Sequence, residues 1–156
     1  MLFAAILFAI KISDADLSRR LTSEAEELLR VEKKVAAAEK GLDAVLYEDV
    51  LALLDAALHA NPQNLHARVV SSDALLLKAY DGDGTYDVCT LLDARDEAEF
   101  VTSHASRASE SDLAAARAVL RSIDSIPPDA VPDPPSSCDE EDERQHGSRA
   151  RAAKTR

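Results

Sequence analysis

Proline and glycine are almost absent from the first 126 residues of this 156-residue chain. That stretch contains one proline, Pro62, and three glycines, whereas five prolines follow residue 126. An all-β fold needs a turn signal every 8 to 12 residues or so, and alanine and leucine, which favour helices, dominate the composition instead. The sequence therefore predicts an all-α domain over residues 13–126, flanked by an N-terminal segment, 1–12, and a tail, 127–156.

Apolar residues recur at helical spacing throughout the predicted domain. Ser13 with Asp16 forms a capping box, and apolar residues then follow at steps of three and four up to Val45. This pattern predicts either one long helix or two helices broken near Gly41. Further helices are predicted over 47–60, 65–80 and 86–100, with another between the Ser109 capping box and Pro127.

The first predicted helix also carries a partial heptad repeat. Leu21, Leu28, Val35 and Leu42 lie seven residues apart, but Gly41 interrupts the series. Two interpretations remain open at this stage. The helix packs against its own chain, or it associates with a second copy to form a homo-oligomer.

The two ends of the chain differ in composition from the domain. Residues 1–10 are entirely apolar but too short to span a membrane, which takes about 20 residues. Three interpretations of residues 1–10 stay open: they are part of the fold, they are a secretory or anchor segment, or the chain starts within a longer parent sequence. The tail lacks Leu, Ile and Phe and contains an acidic run, 139–143, followed by a basic end, so it is predicted to be disordered.

The net charge indicates which classes of partner suit the chain, and the cysteine content indicates its cellular compartment. The net charge of −11 disfavours nucleic acid and anionic lipid, both of which attract basic surfaces, and favours a basic protein or peptide. The two cysteines, Cys89 and Cys138, form no evident disulfide framework or zinc ligand set. We therefore expect a reducing, cytoplasmic location, with Cys89 a buried thiol.

Motifs for catalysis or cofactor binding are not evident. The string around Asp81, Asp83 and Asp87 is similar to part of a calcium loop, but Ala79 and Thr90 stand where acidic ligands are needed. It is interpreted as a turn that ends a helix. The four histidines lack metal-ligand spacing, and phosphate-binding glycine motifs are missing. The sequence thus predicts a protein that is not an enzyme and uses neither cofactor nor metal.

One stretch resembles the second helix of a tetratricopeptide repeat (TPR) and the turn after it. Tyr47, Val50, Leu54, Ala57 and Pro62 follow the spacing of that family. A second stretch echoes these intervals with Leu113, Ala116, Leu120, Ile123 and Pro128. The resemblance extends over residues 31–128. It implies antiparallel helical hairpins, arranged as a fragment of a right-handed solenoid.

The resemblance also implies a role in binding. Repeat arrays of this kind form a concave groove from their first helices. Chaperone-binding members clamp a peptide carboxylate with Lys and Asn, but Val69 and Asp73 occupy the matching positions here, and Asp73 suits a basic peptide instead.

The function expected from the sequence is a non-enzymatic protein-interaction or scaffold module that binds a peptide or protein, most favourably a basic one. Its candidate partner-binding residues are Arg68, Asp73 and Tyr80, all in the predicted helix 65–80. The alternative is a helical structural protein that self-assembles through residues 13–45.

Overall fold

The computed structural model describes residues 13–39, 44–80, 82–131 and 138. The predicted all-α class is confirmed for these residues, which contain no β-strand. A short 3-10 helix, Pro128–Ala130, follows the last of the α-helices. The α-helices are α1 Asp14–Glu39, α2 Ala44–Ala60, α3 Leu65–Ala79, α4 Val88–Ser103 and α5 Glu110–Asp124.

Several sequence predictions concern residues outside this description. Segment 1–12, the residues around Gly41 and most of the tail cannot be compared with the structure. Helix α1 ends at Glu39 and α2 begins at Ala44, and the predicted break near Gly41 lies outside the described residues. Among the described helices, none combines the length and the apolar character that crossing a bilayer requires.

Short polar side chains cap the helices where the sequence changes from turn to apolar repeat. The amide of Asp16 donates to Ser13 Oγ over 3.2 Å, and the amide of Asp112 donates to Ser109 Oγ over 3.1 Å, which confirms both predicted capping boxes. Asn64 caps α3 and Asp87 caps α4. The Asp87 carboxylate is therefore used as a cap, in agreement with the turn predicted for this region.

The helices form two antiparallel pairs and a fifth helix. Ser18, early in α1, donates to the carbonyl of Ala57, late in α2, and Arg68, early in α3, pairs with Glu97, late in α4. Within the described residues, α3 contacts all four other helices, whereas α5 contacts only α3 and α4. Helix α3 is thus the centre of the molecule.

The face predicted for α2 is confirmed residue by residue. Tyr47 is 2% exposed, and Val50, Leu54 and Ala57 are 0% exposed. They share a core with residues of α1 and α3, namely Ala25, Leu29, Ala67, Val70 and Ala74. Burial of this face is what holds the first three helices together.

The buried face of α1 differs from the predicted apolar one. Leu17 and Val31 were expected to belong to the packed face, yet they are 41% and 44% exposed. The buried positions lie one residue further along the helix, at Ser18, Thr22, Ala25, Leu29 and Glu32. Small side chains let the helices approach closely, and the hydroxyl of Ser18 is satisfied by the carbonyl of Ala57 at 2.7 Å.

A second core lies between α3, α4 and α5. Leu91, Ala94, Ala98 and Val101 of α4 pack with residues of the flanking helices, which are Val69, Ala79, Ala116, Val119 and Ile123. Leu92, which the sequence placed with the apolar residues of α4, is 46% exposed instead.

The prediction for the cysteines is wrong. Cys89 is bonded to Cys138, with the Cα atoms 5.4 Å apart, and neither thiol is free.

The predicted disorder also does not begin at residue 127, because the chain folds back there and Ala130 accepts a hydrogen bond of 2.9 Å from the amide of Tyr86. This return brings the later chain towards the start of α4, where Cys89 lies.

Candidate functional site

Helices α1, α3 and α5 form a groove on one side of the molecule. Glu26 and Lys33 of α1 contact His66 and Asp73 of α3, respectively, so the two helices run parallel and in register over two turns. The described parts of α1 and α5 do not contact each other. Helix α3 is therefore the floor of the groove, and α1 and α5 are its walls.

The groove encloses about 510 Å³. Its lining is apolar along the middle and carries three carboxylates, on Glu26, Asp73 and Asp112. Neither Lys nor Arg is among the residues that line it. The apolar lining residues are Leu29, Val69, Val70, Leu76, Ala115, Ala118 and Val119.

His66 joins both walls at one end of the groove. Its Nδ1 lies 2.8 Å from Asp112 Oδ1 on α5, and its Nε2 lies 3.3 Å from Glu26 Oε2 on α1. Both ring nitrogens thus contact carboxylates, which leaves no free nitrogen to act as a general base on a substrate. The arrangement holds three helices together; we call His66, Glu26 and Asp112 the histidine clasp.

The clasp changes the pKa values of His66 and Asp112. Burial lowers the pKa of His66, but hydrogen bonds and negative charge from Asp112 and Glu26 outweigh it, so that the pKa is raised above 6.5. Burial raises the pKa of Asp112, whereas hydrogen bonds from Ser109 and His66 lower it to a net value below 3.8. The clasp therefore favours a protonated His66 next to an ionised Asp112.

The capping box at the start of α5 positions the Asp112 side chain. The hydroxyl of Ser109 donates to Asp112 Oδ2 over 2.7 Å, while Oδ1 faces His66. One carboxylate therefore both stabilises the first turn of α5 and attaches that turn to α3. The sequence pattern that predicts the helix start thus also creates part of the site.

Asp73 lies on the same face of α3 as His66, and Tyr80 directly follows the last residue of that helix. Asp73 lines the groove and pairs with Lys33, and Tyr80 lines a second depression of about 410 Å³. Leu76 and Ser122 line both the groove and the depression, so the two are continuous. Two of the three candidate binding residues are thus brought onto one surface.

Arg68 lies elsewhere. It bonds Glu97 of α4 over 2.7 Å, donates to the carbonyl of Pro62 over 3.2 Å, and stacks 4.0 Å above the ring of Phe100. Its side chain is 19% exposed. The structure therefore places Arg68 between α3 and α4, outside the groove.

The histidine clasp does not follow from the sequence alone, because Glu26 and Asp112 lie 40 and 46 residues away from His66. A local signal is present in the spacing of His66 and Asp73, which are seven residues apart and share one face of α3.

Comparison with known proteins adds no family to this description. No protein-family model matches the chain, and neither a curated protein nor a solved structure matches it. Among the described residues, no group of three or more His, Cys, Asp or Glu side chains is arranged to hold a metal ion.

Proposed function

We propose that this chain is a protein-interaction module that binds a basic, amphipathic peptide segment of a partner protein in the groove along α3. The observation that carries the proposal is the combination of a mostly apolar lining with three carboxylates and no Lys or Arg side chain among the lining residues. Such a lining matches a segment that has Lys or Arg beside apolar residues.

The dimensions support the same occupant. From Leu65 to Ala79, α3 rises about 21 Å, which is the length of a helical segment of about 14 residues. The groove is open to solvent, and α1 and α5 are held apart by α3. A helix laid along α3 can place its apolar face on the floor and its basic side chains against the walls.

A binding titration tests the proposal. A 14-residue helical peptide of Lys, Leu and Ala, labelled for fluorescence anisotropy, is expected to bind the full chain and to bind more weakly as salt increases. The matching peptide with Glu in place of Lys is expected not to bind. Equal binding of both peptides, or binding of neither, would contradict the proposal.

A matched pair of variants locates the binding on the protein. Glu26→Gln removes a carboxylate of the groove and is expected to weaken binding about two- to fivefold. Glu24→Gln removes a carboxylate from an exposed position of α1 that does not line the groove, and we expect no change. Equal effects of the two variants would indicate a non-specific effect of net charge.

A second candidate function is self-association through α1. Leu17 and Val31 are two heptads apart and both more than 40% exposed, so these two apolar side chains, with Glu24 between them, are open to a second copy. Leu28 is unsuitable for testing this, because it packs against the core of its own chain. If α1 mediates assembly, Val31→Glu should reduce the light-scattering mass to 16.8 kDa without lowering the melting temperature.

The disulfide bears on the cellular location. Disulfides persist in oxidising compartments and are rare in the cytosol. The bond between Cys89 and Cys138 thus removes the basis for the cytoplasmic location expected from the sequence. We propose an oxidising compartment, and thiol trapping during isolation from the native source tests this: modified cysteines would favour the cytoplasm.

A further inference from the structure

We propose that the occupant of the groove has a polarity along its length: its basic residues lie at the histidine clasp, and an aromatic or branched apolar residue lies in the depression beside Tyr80. This inference rests on the proposed function and goes further, because it assigns a different part of the occupant to each end of the groove. It specifies a segment with its charge and its bulky apolar residues in separate halves.

The two ends of the groove differ in chemistry. Two of the three carboxylates, on Glu26 and Asp112, belong to the clasp end. Titratable side chains in the depression at the other end are limited to the phenols of Tyr80 and Tyr86. Its remaining lining residues are Leu76, Leu77, Ser122, Ser125, Ile126 and Pro127.

The walls of the depression are fixed before any ligand binds. Tyr80 and Tyr86 pair in an isolated β-bridge, and their rings lie 5.3 Å apart. The amide of Tyr86 also bonds Ala130 over 2.9 Å, which secures the chain just after Pro127. A preformed site loses little entropy when it is filled, and Tyr80 remains 37% exposed, so its ring offers contact area to an occupant.

The electrostatic difference extends along α3. Asp73, in the middle, is paired with Lys33, so its charge is largely compensated. The carboxylates of the clasp share one histidine, which carries at most one positive charge, and they keep a net negative charge at every protonation state of His66. Within the groove, attraction for Lys or Arg is therefore strongest at the clasp end; Arg19 and Arg107 line the adjoining depression, which His66 and Asp112 also line, and not the groove.

Three peptides of identical composition test this polarity. Two contain Lys in one half and Phe and Leu in the other, in opposite chain directions, and the third distributes the same residues evenly. One of the two segregated peptides is expected to bind the full chain about tenfold more tightly than the even one. Equal affinities of all three would overturn the proposed polarity but leave the proposed function standing. If none binds, both are overturned.

Variants at the depression assign the apolar half. Tyr80→Ser should weaken the better segregated peptide about tenfold, yet leave a peptide of Lys and Ala alone unchanged, whereas Tyr80→Phe should retain binding. Leu92→Ser alters an exposed apolar residue away from the groove and should have no effect. Thermal melts of all variants establish that they fold. An equal loss for both peptides with Tyr80→Ser would overturn the assignment.

The chain's own basic segment provides a further test of the proposal. Residues 144–156 carry five Lys and Arg but no aromatic residue, Leu, Ile or Val. As a synthetic peptide, this segment satisfies only the clasp end and is expected to bind no more tightly than the even peptide. Binding as tight as that of the better segregated peptide would contradict the need for an apolar half.

Discussion

At the scale of single residues, a few polar side chains determine how α1, α2 and α3 meet. Asn64 accepts from the amide of Ala67 and donates to Ser18 Oγ over 2.9 Å and to Thr22 Oγ1 over 3.1 Å. The two hydroxyls donate to backbone carbonyls in turn. One side chain therefore caps α3 and satisfies two buried hydroxyls of α1, at a position where the sequence indicates only a turn.

Replacing Asn64 should destabilise the fold. Asn64→Ala removes the cap and both donors, and we expect it to lower the free energy of unfolding by about 2 kcal/mol. Asn61→Ala, three residues earlier, removes only a hydrogen bond to the amide of Gln63 in the same turn and should cost less than about 0.5 kcal/mol. Urea unfolding followed by circular dichroism measures both. Equal losses would mean that the network around Asn64 contributes nothing.

The histidine clasp should make stability depend on pH. Because the pKa of His66 is raised in the folded state, its contribution is complete below pH 6.5 and is lost as the pH rises through the folded-state value. Because the pKa of Asp112 is lowered, its contribution is present above 3.8 and is lost as the pH falls through the folded-state value. The clasp is thus most stabilising between these limits.

The size of the His66 effect should be small, since its side chain is 47% exposed. We expect a loss of a fraction of a kcal/mol as the pH rises above 6.5 and passes through the folded-state pKa of His66. His66→Ala should abolish this part of the pH dependence, whereas His59→Ala, at the exposed end of α2, should retain it. Unfolding curves measured at several pH values for both variants test this prediction. An unchanged slope in His66→Ala would refute a stabilising role for the clasp.

At the scale of secondary-structure elements, the sequence predicts some helix faces better than others. The face of α2 follows from its large apolar residues, and Tyr47, Val50 and Leu54 are all buried. The face of α1 was predicted one residue away, since hydrophobicity favours Leu17 and Val31 while the contact is made by small residues such as Ser18. Close packing against a neighbour is not visible in the hydropathy of one helix.

The disulfide belongs to this scale because it attaches the chain beyond α5 to α4. It encloses a loop with a sequence separation of 49 residues. Removing such a bond costs about 2 to 4 kcal/mol, mainly by releasing the unfolded chain. We expect Cys89→Ser and Cys138→Ser to lower stability equally and to make it insensitive to dithiothreitol. Stability of the unmutated chain that does not change on reduction would contradict the bond.

At the scale of the whole molecule, the arrangement of helices creates a surface that no single segment contains. The starts of α1 and α5, and the turn at Asn61–Asn64, could be predicted from local signals, namely the two capping boxes and Pro62, whereas α2 begins at Ala44 and α4 at Val88 rather than at the predicted residues 47 and 86. The groove could not be predicted, because it depends on α1 and α5 lying on opposite sides of α3. Its clasp joins residues 26, 66 and 112, and its depression depends on the return of the chain after Pro127. The likeness to tetratricopeptide repeats stays a prediction.

The most direct test of the groove is a peptide titration followed by backbone amide chemical shifts. With the full chain labelled with ¹⁵N and the Lys, Leu and Ala peptide added in steps, we expect shifts concentrated at His66, Asp73, Leu76, Asp112 and Val119. The outward-facing residues of α2 and α4, such as Ala52, Ala56 and Leu92, should not change. Shifts confined to α2 and α4, or no shifts at a peptide concentration that saturates the anisotropy signal, would contradict the account.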